Sequence, residues 1–227
     1  MAVSTPDWLT SLIGAASSVD VHDLTRFAPP DTAQRQSAVL VLFGEGDRGP
    51  DVLLIERAHD MRSHAGQPAF PGGAVDPTDD GPIAAALREA AEETGLDPGG
   101  VDVLVVLPDL WVPPSGFVVT PVLGWWREPS PVSARDPAEV ASVHRVPLAD
   151  LTDPANRFRV QHPSGYTGPA FGVCDLVVWG FTGGLLDRLI YLGGWERPWD
   201  PSRVEPLPEP IPGPVIEHKV RRKEADP

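Results

Sequence analysis

At 227 residues, with 41% hydrophobic and 22% charged residues, the chain has the length of one domain with extensions and the composition of a soluble globular protein. Its formal net charge of −14 argues against a general nucleic-acid surface, which needs cations to displace counterions, but not against a phosphate-bearing small molecule held beside divalent metal. No apolar run reaches the roughly 20 residues of a membrane-spanning helix, and the single cysteine, Cys174, excludes an internal disulfide and a cysteine-rich zinc site.

The first eight residues have neither the basic nor the apolar segment of a secretory signal, so a reducing, cytoplasmic setting is expected. Residues 6–16 predict a short amphipathic helix with Trp8, Leu9, Leu12 and Ile13 on one side and a proline in its first turn. A polar stretch at 29–36 leads to the β-rich run 37–43. The turn-forming GEGDRGP then separates it from a second strand at 51–57, and the two are expected to pair. Residues 58–78 carry Gly66, Pro68, Pro71, Gly72, Gly73 and Pro77 and read as an ordered loop. A helix is predicted over 82–94, opened by Pro82 and stopped by Gly95.

Further strands are predicted at 101–107, 117–126 and 140–146, and a second long helix at 175–192 despite Gly183 and Gly184. Cys174, beside Val173, reads as buried filling rather than as a nucleophile. From Glu205 onward prolines at 206, 208, 210, 212 and 214 forbid a helix or central strand and favour an extended tail. The alternation of strands and helices indicates an α/β fold with helices covering a central sheet. Its expected organisation is a helical lead-in over 1–36, the main domain over 37–200 and a proline-rich tail over 201–227.

The chemistry concentrates in the helix at 82–94. At 100° per residue, Ile83, Leu87, Ala90 and Thr94 gather on one side, suited to packing on a sheet. Glu89, Glu92 and Glu93 share an arc of about 100° on another. Like charges at these spacings cost a helix roughly 0.2–0.5 kcal/mol per pair, which Arg88 or a hard divalent cation would relieve. A solvated acidic face is the bland alternative. Upstream, Phe70-Pro71-Gly72-Gly73 brings exposed backbone to the start of this helix, where glycines permit close approach to a ligand.

Together the pieces read Gly73-x5-Asp79-x8-Arg88-Glu-Ala-Ala-Glu-Glu-Thr-Gly-Leu, and this resembles the Nudix box, G-x5-E-x7-R-E-U-x-E-E-x-G-U with U apolar. The half from Arg88 to Leu96 matches every fixed position. The other half has Asp79 for Glu and one extra residue; moving the register to Asp80 restores the spacing but puts Ala74 where glycine belongs. The stretch from Leu53 to Gly73, LLIERAHDMRSHAGQPAFPGG, resembles the segment that precedes the box in coenzyme A pyrophosphatases, with Arg57, Arg62, His64, Gly66 and Phe70 on its marked positions. The chain is thus similar to the Nudix hydrolase family and, within it, to the branch that cleaves coenzyme A.

The resemblance implies an α/β/α sandwich with a central mixed sheet. It also implies hydrolysis of a nucleoside diphosphate derivative with magnesium or manganese as cofactor. Metal would be held by Glu89 and Glu93, with Glu92 and the Gly73 carbonyl. Arg88 and Asp79 would orient the carboxylates. Arg57, Arg62, His64 and Gly72 would meet substrate; for the two arginines and the histidine, a salt bridge or a loop-ordering hydrogen bond is the alternative. Glu89 and Glu92 are catalytic candidates, as is Glu139 in the loop before the strand at 140–146, which would act as general base unless it is an ordinary solvated acid. The implied partner is a small nucleotide such as coenzyme A, rather than nucleic acid or membrane, and a homodimer is in keeping with the family. Other substrates (ADP-ribose, NADH) and a non-catalytic Nudix-fold binding domain stay open.

Overall fold

The computed structural model describes residues 5–25, 35–61, 64–113, 115–162, 165 and 167–207. A 3-10 turn, Asp7–Leu9, runs into helix α1 (Thr10–Ala16), followed by the single-turn α2 (Val21–Leu24). Strands β1 (Arg35–Gly46) and β2 (Gly49–Arg57) form the expected hairpin, with Phe43 opposite Val52 and Gly46 opposite Gly49. The turn is narrower than GEGDRGP: Asp47 and Arg48 alone make it, and Gly49 at φ 88° takes up the left-handed residue.

Residues 58–78 are not loop throughout. They carry β3 (Pro68–Ala69), paired with Ile55 and Glu56, and β4 (Gly72–Ala74), paired with residues 37–39 of β1. Prolines and glycines masked these strands, yet Pro68 sits in a two-residue strand at the end of the sheet order, where a missing donor is tolerated. Helix α3 (Gly81–Thr94) comes next, then β5 (Val101–Val106), β6 (Leu110–Val112), β7 (Phe117–Trp126), β8 (Val140–Pro147) and the short α4 (Leu148–Leu151).

The last third holds strands the periodicity did not single out, β9 (Arg157–Gln161) and β10 (Thr167–Val173). The expected helix over 175–192 is shorter: Leu176–Val178 is strand β11, and α5 covers Gly180–Leu192. The reason is a two-residue turn, Cys174 at φ 52° and Asp175 at φ 60°, which folds the β-branched Val177 and Val178 back onto β10. Cys174 therefore stands exposed at a hairpin tip and is not buried filling. Finally β12 (Val204–Pro206) pairs parallel to β9 at the edge of its sheet, which suits the prolines; residues 208–227 of the tail lie outside the described residues.

Among the described residues β1 to β8 make one eight-stranded sheet, ordered β3-β2-β1-β7-β5, with β4 on β1, β6 on β7 and β8 on β2. Strands β1 and β7 run parallel while the other pairs are antiparallel, so the sheet is mixed. Alternation along β1 divides the core. Ala38, Leu40 and Leu42 pack with Ala85, Ala86, Ala90 and Trp126 beneath α3. Val41 and Phe43 face Leu9 and Leu12 at the N-terminus and Leu185 and Leu189 of α5. Helices thus cover both faces, and a four-stranded sheet, β11-β10-β9-β12, extends the second layer. Among the described residues no helix is long and apolar enough to cross a membrane.

The buried stripe of α3 is rotated from the expected one. Ala85, Ala86, Ala90, Glu93 and Thr94 are buried, whereas Ile83 is 38% exposed. Alanines let the helix lie close on the strands, and that closeness draws Glu93 inward with them.

Candidate active site

Helix α3 and strand β4 bring the glycine pair onto the carboxylates. The Gly72 amide donates to Glu93 Oε2 at 2.9 Å. Gly72 has φ 155°, and a Cβ there would lie 2.7 Å from the Val39 Cα, so the strand can approach β1 this closely only as glycine. A Cβ on Gly73 would fall 2.5 Å from Glu89 Oε1, in the space the Glu89 carboxylate occupies. The two glycines therefore do different work, one seating β4 on β1 and the other making room for a carboxylate.

Glu93 is only 5% exposed, and burial pushes its carboxyl up to about 7. The Gly72 amide and the Arg57 guanidinium oppose that rise, while the charges of Glu89 and Glu139 add to it. Burial also raises the Glu89 carboxyl, against the pull of Arg88 and with the push of Glu92 and Glu139. Mutual repulsion ties Glu89, Glu93 and Glu139 to one locale, and the charge of Arg57 is near enough to favour an ionised Glu93.

Arg88 organises the outer side. Its Nε and Nη2 grip both oxygens of Asp79 at 2.9 Å each, Nη1 reaches Glu89 Oε1 at 3.0 Å and Glu92 Oε2 at 3.1 Å, and Nη2 also donates to the Ala74 carbonyl at 3.1 Å. The Asp79 carboxyl is held below the usual carboxylate range, first by Arg88 and then by the Asp76 amide. Asp79, not Asp80, is thus the acid of the box register that meets Arg88; Asp80 precedes α3 without a side-chain cap. Glu92, its side chain 60% exposed, lies toward solvent beyond Arg88 and is less engaged than Glu89 and Glu93.

Of the candidate substrate contacts, Arg57 ends β2, and among the described residues its buried Nε finds no hydrogen-bond partner. Its amide and carbonyl are tied to Gln67 and Gly66 across the loop. His64, exposed at φ 58°, bonds Gln67 Oε1 through Nδ1 at 2.9 Å and so orders its own turn. Arg62 lies outside the described residues.

Among the described residues no group of three His, Cys, Asp or Glu side chains is disposed to hold a metal ion unaided. The donor set nevertheless fits magnesium or manganese, which bind through one or two carboxylates and complete their shell with water and substrate phosphate. Glu89 and Glu93 supply the carboxylates, and the glycine pair leaves a cradle that a side chain would fill.

Sequence reasoning singled out Glu139, which stands exposed in a turn before β8, but not the way its segment is tied to the end of α3. The Ser133 amide donates to the Thr94 carbonyl at 2.9 Å and the Arg135 amide to that of Glu93 at 3.1 Å, joining this loop to the last turn of α3. Only the Asp136-Pro137 pair, a turn signal, hinted at local order there.

A model of the NUDIX domain family matches residues 33–166. The chain is 44% identical over 172 residues to the uncharacterized Nudix hydrolase NudL of Cronobacter sakazakii, spanning 73% of this chain and 85% of that protein. It is 48% identical over 115 residues to NudL of Escherichia coli, 51% of this chain and 58% of that one, so this match spans little more than half of that relative's length. Among solved structures, the fold is similar to the Nudix hydrolase RenU of M. smegmatis, with TM-score 0.50 and 21% identity over 73% of this chain and 89% of that one.

Proposed function

The chain belongs to the Nudix hydrolase family, and on that premise we propose that it is a pyrophosphohydrolase, dependent on magnesium or manganese, that cleaves coenzyme A or its acyl derivatives to 3′,5′-ADP and 4′-phosphopantetheine. The observation that carries this reading is the seating of Glu89 and Glu93 against the Gly72-Gly73 backbone. The choice of substrate is supported by the stretch from Leu53 to Gly73, which leads through Arg57 into this site.

Glu89 and Glu93 hold the metal in this account, with the Gly73 carbonyl as a further oxygen. When bound, magnesium or manganese polarises the pyrophosphate oxygens and lowers the pKa of water. The Gly72 amide fixes the rotamer of Glu93, and Arg88 holds Glu89 and Glu92 in place from outside. Arg57 lends its positive charge to the phosphates of an anionic substrate, which a protein of net charge −14 would otherwise repel. Glu139, less committed to other groups than the helix glutamates, accepts the proton of the attacking water. Hydroxide adds to one phosphorus as the bridging oxygen leaves with the other phosphate, so water is consumed and no redox step is needed. On this reading the partner is a small cytoplasmic nucleotide.

The test is product analysis over coenzyme A, ADP-ribose, NADH and dATP with either metal. Release of 3′,5′-ADP from coenzyme A, lost in Glu93→Gln, supports the proposal. Turnover of ADP-ribose or NADH alone keeps the chemistry and overturns the substrate. No turnover at all, with nucleotide binding retained, favours a binding domain.

A further inference from the structure

Glu139 is exposed on a turn, and no hydrogen bond or ion pair to its carboxylate is found among the described residues; what the fold fixes is where its backbone stands, close enough for its charge to act on Glu89 and Glu93. That backbone is tied at both ends. At one end Ser133 and Arg135 occupy the Thr94 and Glu93 carbonyls, two of the acceptors that the end of any helix leaves open. The Arg135 guanidinium fills the place of a side chain at Gly95, the left-handed residue ending α3 at φ 73°, so its cation lies at the negative end of the helix. At the other end the Ala58 amide, one residue past Arg57, donates to the Glu139 carbonyl at 2.9 Å.

Between the ends Asp136 makes the turn. Its Oδ1 accepts from the Ala138 amide at 2.9 Å, and its carbonyl accepts from the amides of Glu139 at 3.0 Å and Val140 at 2.9 Å. Pro137 fixes the first corner. Four residues after the Glu93 carbonyl is capped, the chain has thus delivered Glu139 beside the end of β2.

We propose that residues 133–139 form a strap between the end of the glutamate helix and the end of β2, and that Asp136 is the positioning residue that aims Glu139 at the Glu89–Glu93 pair. The inference rests on the reading of Glu139 as proton acceptor and adds the means by which an exposed side chain is held for that task.

A double-mutant cycle on the full chain tests it, with coenzyme A, saturating magnesium and enzyme in excess. Asp136→Ala should lower the single-turnover rate about tenfold, with the half-saturating enzyme concentration and magnesium affinity unchanged, because a misplaced group loses its proximity advantage. Asp136→Asn, which keeps an oxygen for the Ala138 amide, should restore the rate to within about twofold of wild type. In a Glu139→Gln background Asp136→Ala should cost nothing more, since coupled groups are not additive. Wild-type rate in Asp136→Ala, or the same tenfold loss in both backgrounds, overturns the strap while leaving Glu139 as base. Wild-type rate in Glu139→Gln instead overturns the base assignment from which the strap takes its purpose.

Discussion

The Gly72 amide lies 2.9 Å from Glu93 Oε2, and this bond is what allows a carboxylate to be buried between helix and sheet. A buried acceptor with a backbone donor is tolerable; the same carboxylate without one would stay protonated or leave the core.

Stability of the metal-free protein should therefore depend on Glu93. Its carboxyl is raised to about 7 in the fold, against an ordinary value of 4.5 in the unfolded chain. Its contribution is complete below the unfolded value and is lost as pH rises from there through the folded one. The loss amounts to roughly 3 kcal/mol by pH 8. Relative to Glu93→Gln, the wild-type melting temperature should fall between pH 5 and pH 8 without metal, and magnesium should restore it at pH 8. Parallel melting curves for the two proteins would show that Glu93 is not strained by burial.

The glycine pair should separate by consequence. Gly72→Ala drives a Cβ against the backbone of Ala38 and Val39 at a φ that side chains rarely adopt, and should cost about 1–3 kcal/mol of stability. Gly73→Ala presses on the Glu89 carboxylate instead, and should lower kcat at least tenfold with a melting temperature close to wild type. Thermal unfolding and steady-state kinetics on both variants decide the matter, and equal effects would contradict the division of labour.

Arg88 acts through fork geometry, meeting Asp79 with two nitrogens while holding Glu89 and Glu92 with a third. Lysine keeps the charge but offers a single point donor. Arg88→Lys should consequently lower kcat by about 10–100-fold, in the range seen when groups that orient metal ligands are removed. Unchanged kinetics would mean that charge alone suffices.

Much of this site was legible because its signals are local. The hairpin of β1 and β2 follows from two alternating runs around a turn, and the box from spacing on one helix. The burial of Glu93 was not legible, because a helical wheel gives angles between residues but not the depth to which Ala86 and Ala90 let the helix settle. Strand β4 was hidden by glycines needed for that same close approach. Val177 and Val178 favour a strand, but the helix expected over 175–192 absorbed them; the left-handed pair Cys174 and Asp175 decides the matter and has no glycine to announce it. The segment from Ser133 to Glu139 is held by carbonyls about forty residues away and by the amide of Ala58, farther still, which no local pattern reports.

On the proposed function, Glu89 and Glu93 on the glycine cradle form a metal-dependent centre that cleaves the pyrophosphate of coenzyme A. Its most direct test is coenzyme A hydrolysis with and without magnesium by wild type and by Glu93→Gln, resolving 3′,5′-ADP from 4′-phosphopantetheine. Wild type with magnesium should release both products in equimolar amounts, with a loss of at least about a hundredfold on chelation or substitution. Intact coenzyme A with wild-type protein and magnesium, or undiminished cleavage by Glu93→Gln, would contradict it.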